Sequence, residues 1–209
     1  MKLTRCQFLL ILILLTGCNT GYNRHNGQWV WTTHDEYNGR RDIPIAGIDN
    51  RSFKILANEN FGADKNAVYY QGRKVKHADP ESFSTLTQNA FGYAKDSKRV
   101  FLDTEVILKA DPETFEVLEF PYSKDRNDVY NGTLPMHLES EDVKTFVATN
   151  EDRLMYASKT TALVTNFLAY SPEYNWIKEY DPELKHVIFG TSGTGKTSKK
   201  KFKGLKEMK

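Results

Sequence analysis

Apolar residues fall into one long block at the start of this chain and into short, regularly spaced clusters after it. The block is residues 8–15 (FLLILILL), behind a positive start at Lys2 and Arg5. It is far shorter than the roughly 20 residues that a membrane-crossing helix needs, and it fits the apolar core of a secretory leader. No later run approaches a spanning length. The clusters that follow are short runs of apolar and aromatic residues set between Asp, Asn and Gly. That is the pattern of short strands joined by turns.

The clusters repeat. Asp64-Lys65-Asn66-Ala67-Val68-Tyr69-Tyr70 is followed by Ala78-Asp79-Pro80-Glu81-Ser82-Phe83 and then Leu86. Thirty-two residues on come Asp96-Ser97-Lys98-Arg99-Val100-Phe101-Leu102, then Ala110-Asp111-Pro112-Glu113-Thr114-Phe115 and Leu118. A weaker third copy starts at residues 122–130 and ends at Asp142-Val143-Lys144-Thr145-Phe146. A half unit, residues 48–56, precedes them all. In each unit the Asp-x-x-x-Val-aromatic stretch predicts a turn feeding a strand, since Asp bonds back to nearby backbone. Gln71-Gly72, Asn131-Gly132 and Asn38-Gly39 suit tight hairpin turns. Asp-Pro-Glu-Ser/Thr-Phe predicts a short helical turn capped by Asp, with Pro at the first position and Phe pointing inward. Such units cannot bury their aromatic face alone and must stack on neighbours.

These units resemble the DKNYY family of bacterial lipoproteins, named for the string kept here as Asp64-Lys65-Asn66 and Tyr69-Tyr70. The likeness runs over residues 29–148 and includes Trp29-Val30-Trp31. Copy two departs from it with Phe101-Leu102 and Asp103-Thr104, and copy three lacks the Asp-Pro. The resemblance implies fold kinship and a place in the cell envelope, and brings no catalytic residues with it. Leu15-Thr16-Gly17-Cys18 in turn resembles a lipobox, whose cysteine carries a diacylglyceryl thioether and becomes the mature N-terminus. Residue 19 is Asn rather than Asp, which resembles lipoproteins sorted to the outer membrane, facing the periplasm, in a Gram-negative cell. In a Gram-positive source the outer face of the cytoplasmic membrane takes its place.

The expected organisation is a leader over 1–17, a lipid anchor and polar tether over 18–28 and a repeat domain over 29–148. An extension over 149–190 packs on the domain, and a disordered lysine-rich tail occupies 191–209. The fold class expected is mainly β: antiparallel hairpin repeats of about 30 residues with short capped helical turns, plus an α/β segment near the C-terminus. There, residues 154–170 fit strand or helix equally, Ser171-Pro172-Glu173 suits a turn or helix start, and Trp176, Ile177 and Tyr180 could share one buried face.

Charge and cysteines narrow the function. The net charge of +2 hides seven lysines among residues 196–209, leaving the body about −6 with 20 basic and 26 acidic residues. An acidic body offers no electrostatic footprint for nucleic acid. Cys6 leaves with the leader and Cys18 carries lipid, so the mature chain has no pair for a disulfide.

Candidate chemistry is sparse. Gly190-Thr191-Ser192-Gly193-Thr194-Gly195-Lys196-Thr197 matches G-x-x-x-x-G-K-[ST], in which glycines admit phosphate, Lys196 supplies charge and Thr197 would hold Mg²⁺. A phosphate loop must open a helix within a parallel sheet, and only twelve residues follow Thr197. His25, His34, His77, His137 and His186 are scattered, without metal-ligand spacing. Glu139, Glu141 and Asp142 read as a solvated acidic patch, and Asp49, Asp79 and Asp111 as caps. Asn131-Gly132-Thr133 fits a glycosylation sequon, although a hairpin turn accounts for it. Tyr69, Tyr70, Phe101 and Tyr130 would expose an aromatic stripe if one strand face were open. No catalytic set, cofactor or metal is expected. The reading is a lipid-anchored, non-enzymatic binding or structural module that meets the membrane through Cys18 and meets a protein partner. The alternatives are an immunity or inhibitor lipoprotein against a toxin, and a nucleotide-binding enzyme acting through residues 190–197.

Overall fold

The computed structural model describes residues 20–87, 91–149 and 159–209. The chain is mainly β, as expected, and is built from small antiparallel meanders stacked face to face. It opens with a three-stranded cap: β1 (Gly21–His25), β2 (Gln28–Asp35) and β3 (Gly39–Pro44). Gly21 pairs with Thr32, so an ordered strand begins three residues after Cys18. The expected tether over 18–28 is therefore corrected: residues 21–28 belong to the cap, where Tyr22 is buried against Trp31 and Phe53.

Three complete units follow, each a four-stranded meander. The first holds β4 (Lys54–Ile55), β5 (Phe61–Ala63), β6 (Val68–Tyr70) and β7 (Arg73–Lys74). The second holds β8 (Ser84–Thr85), β9 (Tyr93–Lys95), β10 (Val100–Leu102) and β11 (Glu105–Val106). The third holds β12 (Glu116–Val117), β13 (Tyr122–Lys124), β14 (Val129–Asn131) and β15 (Leu134–Pro135). Each unit opens with its Asp-to-Phe segment rather than ending on it. The half unit at residues 48–56 is thus the true start of unit one.

A fourth unit closes the stack, and it corrects the expectation of a disordered tail over 191–209. After α1 (Ser140–Thr145) and β16 (Val147–Ala148) the chain leaves the sheet. It forms β17 (Lys159–Leu163), α2 (Val164–Tyr170), a 3₁₀ turn, α3 (Ile177–Tyr180) and β18 (His186–Gly190). It then returns as β19 (Thr194–Lys196), β20 (Lys201–Lys203) and β21 (Lys206–Met208). The sheet order β16-β19-β20-β21 repeats that of the other units. The segment expected to be a C-terminal extension is an insertion inside unit four. It packs Val164, Phe167, Leu168, Tyr174, Ile177 and Val187 onto Leu108 and Leu134 of units two and three.

One phenylalanine per unit joins neighbouring sheets. Phe53 lies 5.1 Å from Tyr22 of the cap and 6.1 Å from Tyr69 of its own sheet. Phe83 lies between Phe61 and Phe101, at 5.4 and 5.7 Å. Phe115 lies between Tyr93 and Tyr130, at 6.3 and 6.1 Å. Phe146 lies between Tyr122 and Phe202, at 5.1 and 5.9 Å. Tilted and edge contacts at these separations add to the gain from burial alone. The strand neighbours of the central aromatics point to the next junction: Tyr69 belongs to the cap cluster, while Val68 and Tyr70 belong to the cluster shared with unit two. Both faces are covered, so Tyr69, Tyr70, Phe101 and Tyr130 are all buried. The conditional aromatic stripe does not form.

Burial depth of the junction phenylalanine follows one position on the second strand. Gly62 and Gly195 face Phe53 and Phe146, and a Cβ there would come within 2.2 and 2.3 Å of the ring. The equivalent positions in units two and three are Ala94 and Ser123. There Phe83 and Phe115 are half-buried, whereas Phe53 and Phe146 are buried.

Each turn is tied by the same bonds. Asp64 Oδ1 accepts the backbone N–H groups of Asn66 and Ala67, as Asp96 does from Lys98 and Arg99 and Asp125 from Asn127 and Asp128. In unit four Thr197 Oγ1 takes that place, accepting from Lys199 and Lys200. The other oxygen of each Asp receives the N–H of the unit's first Asp: Asp49, Asp79 or Asp111. A hydroxyl at Ser52, Ser82, Thr114 or Thr145 receives the N–H of Lys65, Ser97, Arg126 or Ser198. The expected helical turns are plain turns in units one to three and an α-helix only in unit four.

The stack ends by a change of side chains. The aromatic position of β1, β5, β9 and β13 (Tyr22, Phe61, Tyr93, Tyr122) is Thr194 in β19. Where earlier units place Val68 and Tyr70 or Val100 and Leu102, unit four places the exposed pair Lys201 and Lys203 around buried Phe202. The tail lysines are the solvent face of the last sheet, as terminal repeats require. Phe146→Ala and Phe202→Ala should each lower unfolding free energy by about 3–5 kcal/mol in denaturant titrations. Half-buried Phe83 and Phe115 should fall at or below the low end. An unchanged midpoint for Phe202→Ala would mean that the last sheet is not folded.

Candidate functional site

The phosphate-loop string is accounted for by packing. Gly190 ends β18, and Gly195 and Lys196 lie in β19, which runs on through a turn into β20 rather than opening a helix. A Cβ on Gly190 or Gly193 would meet Pro121 at 2.4 or 2.0 Å, and one on Gly195 would meet Phe146. The string has glycines because backbones and rings approach closely there. Lys196 is exposed and Thr197 ties the turn.

The remaining residues singled out by sequence do not converge. His25 Nδ1 lies 2.8 Å from Asp42 Oδ2, and Thr32 Oγ1 donates to the same carboxylate at 2.7 Å. The hydroxyl thus bonds the carboxylate and not the imidazole, so there is no nucleophile–base relay. His137 Nδ1 lies 3.6 Å from Asp128 Oδ2. Among the described residues, no group of three or more His, Cys, Asp or Glu could hold a metal. Asp142 is not part of a solvated patch: it is buried and pairs with Lys200 at 2.8 Å. Asn131 of the sequon is fully buried, its side chain bonded to both the N–H and the carbonyl of Gly190. Cys18 lies outside the described residues.

What the fold does assemble is a seam where the insertion meets units two and three. Ile188 of β18 exchanges bonds with Thr133 through backbone and hydroxyl, and a Cβ on Gly132 would come within 2.0 Å of the Ile188 carbonyl. Beside this join, Lys109 Nζ lies 3.9 Å over the Trp176 ring and 5.8 Å from Tyr180. Trp176 and Tyr180 meet edge to face at 5.8 Å, and His137 contacts Trp176 and Tyr174 at 5.5 and 6.0 Å. Asp128, desolvated beneath His137 and bonded to the N–H groups of His137 and Leu138, has its carboxyl pushed up by burial. Next to this group opens a cleft of about 280 Å³ bordered by His77, Lys98, Arg99, Lys109, Tyr180 and Asp181. It presents cations and an aromatic edge without a nucleophile–base pair. Such a surface suits binding, with Lys109 gaining from the ring faces beneath it. No local pattern marks it, since Lys109 and Trp176 lie far apart in the chain. Trp176, Ile177 and Tyr180 do not share one buried face: Ile177 is buried, while Tyr180 is 51% exposed.

A stack of aromatic-bridged meanders with one insertion seam defines a β-repeat module. The model of the DKNYY family matches residues 31–166, more than half of the chain, and the chain belongs to that family. The match runs from β2 into α2 and stops short of β19, β20 and β21. No curated protein and no solved structure matches the chain.

Electrostatics at the repeat turns set an acid limit. The carboxyls of Asp49, Asp79, Asp111 and Asp142 are held below the ordinary value near 3.8, first of all by hydrogen bonds from Lys65, Ser82, Arg126 and Lys200 respectively. Asp49 falls to about 2. Groups depressed in this way stabilise the fold above the unfolded pKa and lose that contribution as pH falls through the folded one. Stability should be level down to about pH 4 and decline between about 4 and 2, read by denaturant midpoint against pH. A midpoint already falling between pH 7 and 5 would contradict this. A second comparison separates packing from phosphate chemistry: Gly195→Ala should cost about 1–3 kcal/mol by forcing Phe146 aside, and Lys196→Ala less than about 0.5.

Proposed function

We propose that the protein is a lipid-anchored module of the bacterial cell envelope, held to the membrane through Cys18 and acting by binding rather than catalysis. One observation carries this reading: a charged start, an apolar block and Leu15-Thr16-Gly17-Cys18 stand directly before the first ordered strand at Gly21. A leader placed so close to the fold fits removal at Cys18, with lipid on the residue that then comes first. Among the described residues no helix is long and apolar enough to cross a membrane, so the thioether lipid would be the means of attachment. Residue Asn19 supports the outer membrane, facing the periplasm, in a Gram-negative cell.

The binding role is supported by the seam. Tyr180 and the cations around it form a surface without a catalytic arrangement, and aromatic and basic side chains are over-represented where proteins bind partners. A protein partner is the occupant we favour. Anchoring is tested by Cys18→Ala, with metabolic labelling by an alkyne fatty acid and fractionation of membranes. The variant should lose the label and leave the membrane fraction. A labelled, membrane-bound Cys18→Ala protein would end the assignment.

A further inference from the structure

We infer that the β2–β3 ribbon is a membrane-seating element: its tip rests in the headgroup layer of the bilayer that holds the lipid on Cys18, with Tyr37 inserted. The inference rests on the anchoring proposed above and adds the orientation of the body and the surface that meets the lipid.

The register of the cap carries it. Gly21, the first residue of β1, pairs with Thr32 of β2, and Thr32 pairs with Asp42 of β3. Beyond that level β2 and β3 continue together as a two-stranded ribbon, Thr33 opposite Arg41, His34 opposite Arg40 and Asp35 opposite Gly39. Three residues of strand make an overhang of about 10 Å, with the turn added to it. β1 runs away from this end, so the chain enters β1 from the side on which the ribbon projects. Cys18 precedes Gly21 by three residues and lies no more than about 11 Å from it, even fully extended. The anchor therefore cannot hold the body clear of the bilayer by more than the ribbon's own length. An extended approach brings the tip to the membrane surface, and a compact one presses it closer.

The tip presents Tyr37 between Glu36 and Asn38, all three exposed. Asp35 accepts the backbone N–H groups of Tyr37 and Asn38 and both side-chain bonds of Asn38, and Arg41 pairs with it at 3.4 Å. Gly39 takes a left-handed φ of 64° to turn the chain back. The carboxylate is consumed inside the turn, and Tyr37 is left 96% exposed, the largest exposure among the large hydrophobic side chains described. Behind it Arg40 and Arg41, paired with Asp42 at 3.2 Å and with Asp35 at 3.4 Å, stay more than half exposed, so each keeps N–H groups open to solvent. An exposed tyrosine ahead of two guanidinium groups has the chemistry of a membrane interface: the ring sits at headgroup depth, and the cations meet phosphates.

The mature chain lends itself to a single-label test, because Cys6 leaves with the leader and Cys18 is acylated. Lipidated protein carrying Tyr37→Cys, Gln28→Cys or Lys206→Cys would be nitroxide-labelled in vesicles of phosphatidylethanolamine and phosphatidylglycerol. Gln28 lies at the opposite end of the same sheet, and Lys206 in the last unit. Collision rates with oxygen and with an aqueous nickel chelate then report depth. The label at 37 should be shielded from nickel several-fold relative to 28 and 206, and the shielding should vanish in a soluble Cys18→Ala version. Equal nickel access at 37 and 28 in lipidated, vesicle-bound protein would overturn the seating while leaving the anchor intact. Mass spectrometry of the Cys18 peptide separates that outcome from failure of the anchor, since an unmodified Cys18 removes both. Shielding at 37 that persists without lipid would mean a protein contact at the tip and would also overturn the inference.

Discussion

Everything else in this fold depends on one phenylalanine being held between two sheets. Meanders of two- and three-residue strands have too little hydrogen bonding and too little one-sided apolar surface to stand alone. Phe53, Phe83, Phe115 and Phe146 supply the missing contact by reaching backward to the previous sheet and lying against the centre of their own. Each inner sheet is then buried on both faces, which is why three consecutive residues such as Val68, Tyr69 and Tyr70 can all be apolar. The Asp and Ser/Thr turn bonds fix where each phenylalanine stands. They also place buried carboxylates where backbone N–H groups satisfy them, as interior polar groups demand.

The insertion uses that frame without disturbing it. It leaves after β16 and re-enters at β19, so unit four is made from two separated pieces of chain. Gly132, Gly190 and Gly193 allow the close approach that the join requires, and Asn131 and Thr133 satisfy the exposed backbone of β18. Beside this join, Tyr180 and Asp181 of the insertion border a cleft together with Lys98, Arg99 and Lys109.

Much of this was readable from sequence. The Asp-Pro-x-Ser/Thr-Phe segments, the Asp turns and the Asn-Gly hairpin recur at constant offsets, and each has a local physical cause. The fourth unit was not readable, for reasons that lie in particular residues. Thr197 stands where Asp stands elsewhere, Thr194 replaces the aromatic, Lys201 and Lys203 replace apolar neighbours, and residues 149–193 separate β16 from its partners. Composition then suggested a solvated tail and a phosphate loop. The cap was missed because Asn19 to Gln28 is polar, although Tyr22 marks it as more than a tether. The seam was beyond reach of local pattern altogether: Lys109 and Trp176 meet only because the insertion folds back across unit two.

The substitution of Thr194 and the lysine pair on the last sheet has a meaning beyond solubility. A stack of like sheets with matching ends would add further copies head to tail and grow into open fibres, because a heterologous contact need not close. Here the first layer is a three-stranded sheet of different construction, and the final layer offers ammonium groups where an incoming Phe would need an aromatic platform. The same residues that close the fourth unit, Thr194 and the exposed Lys201 and Lys203, therefore also disfavour the docking of a further like sheet on that face.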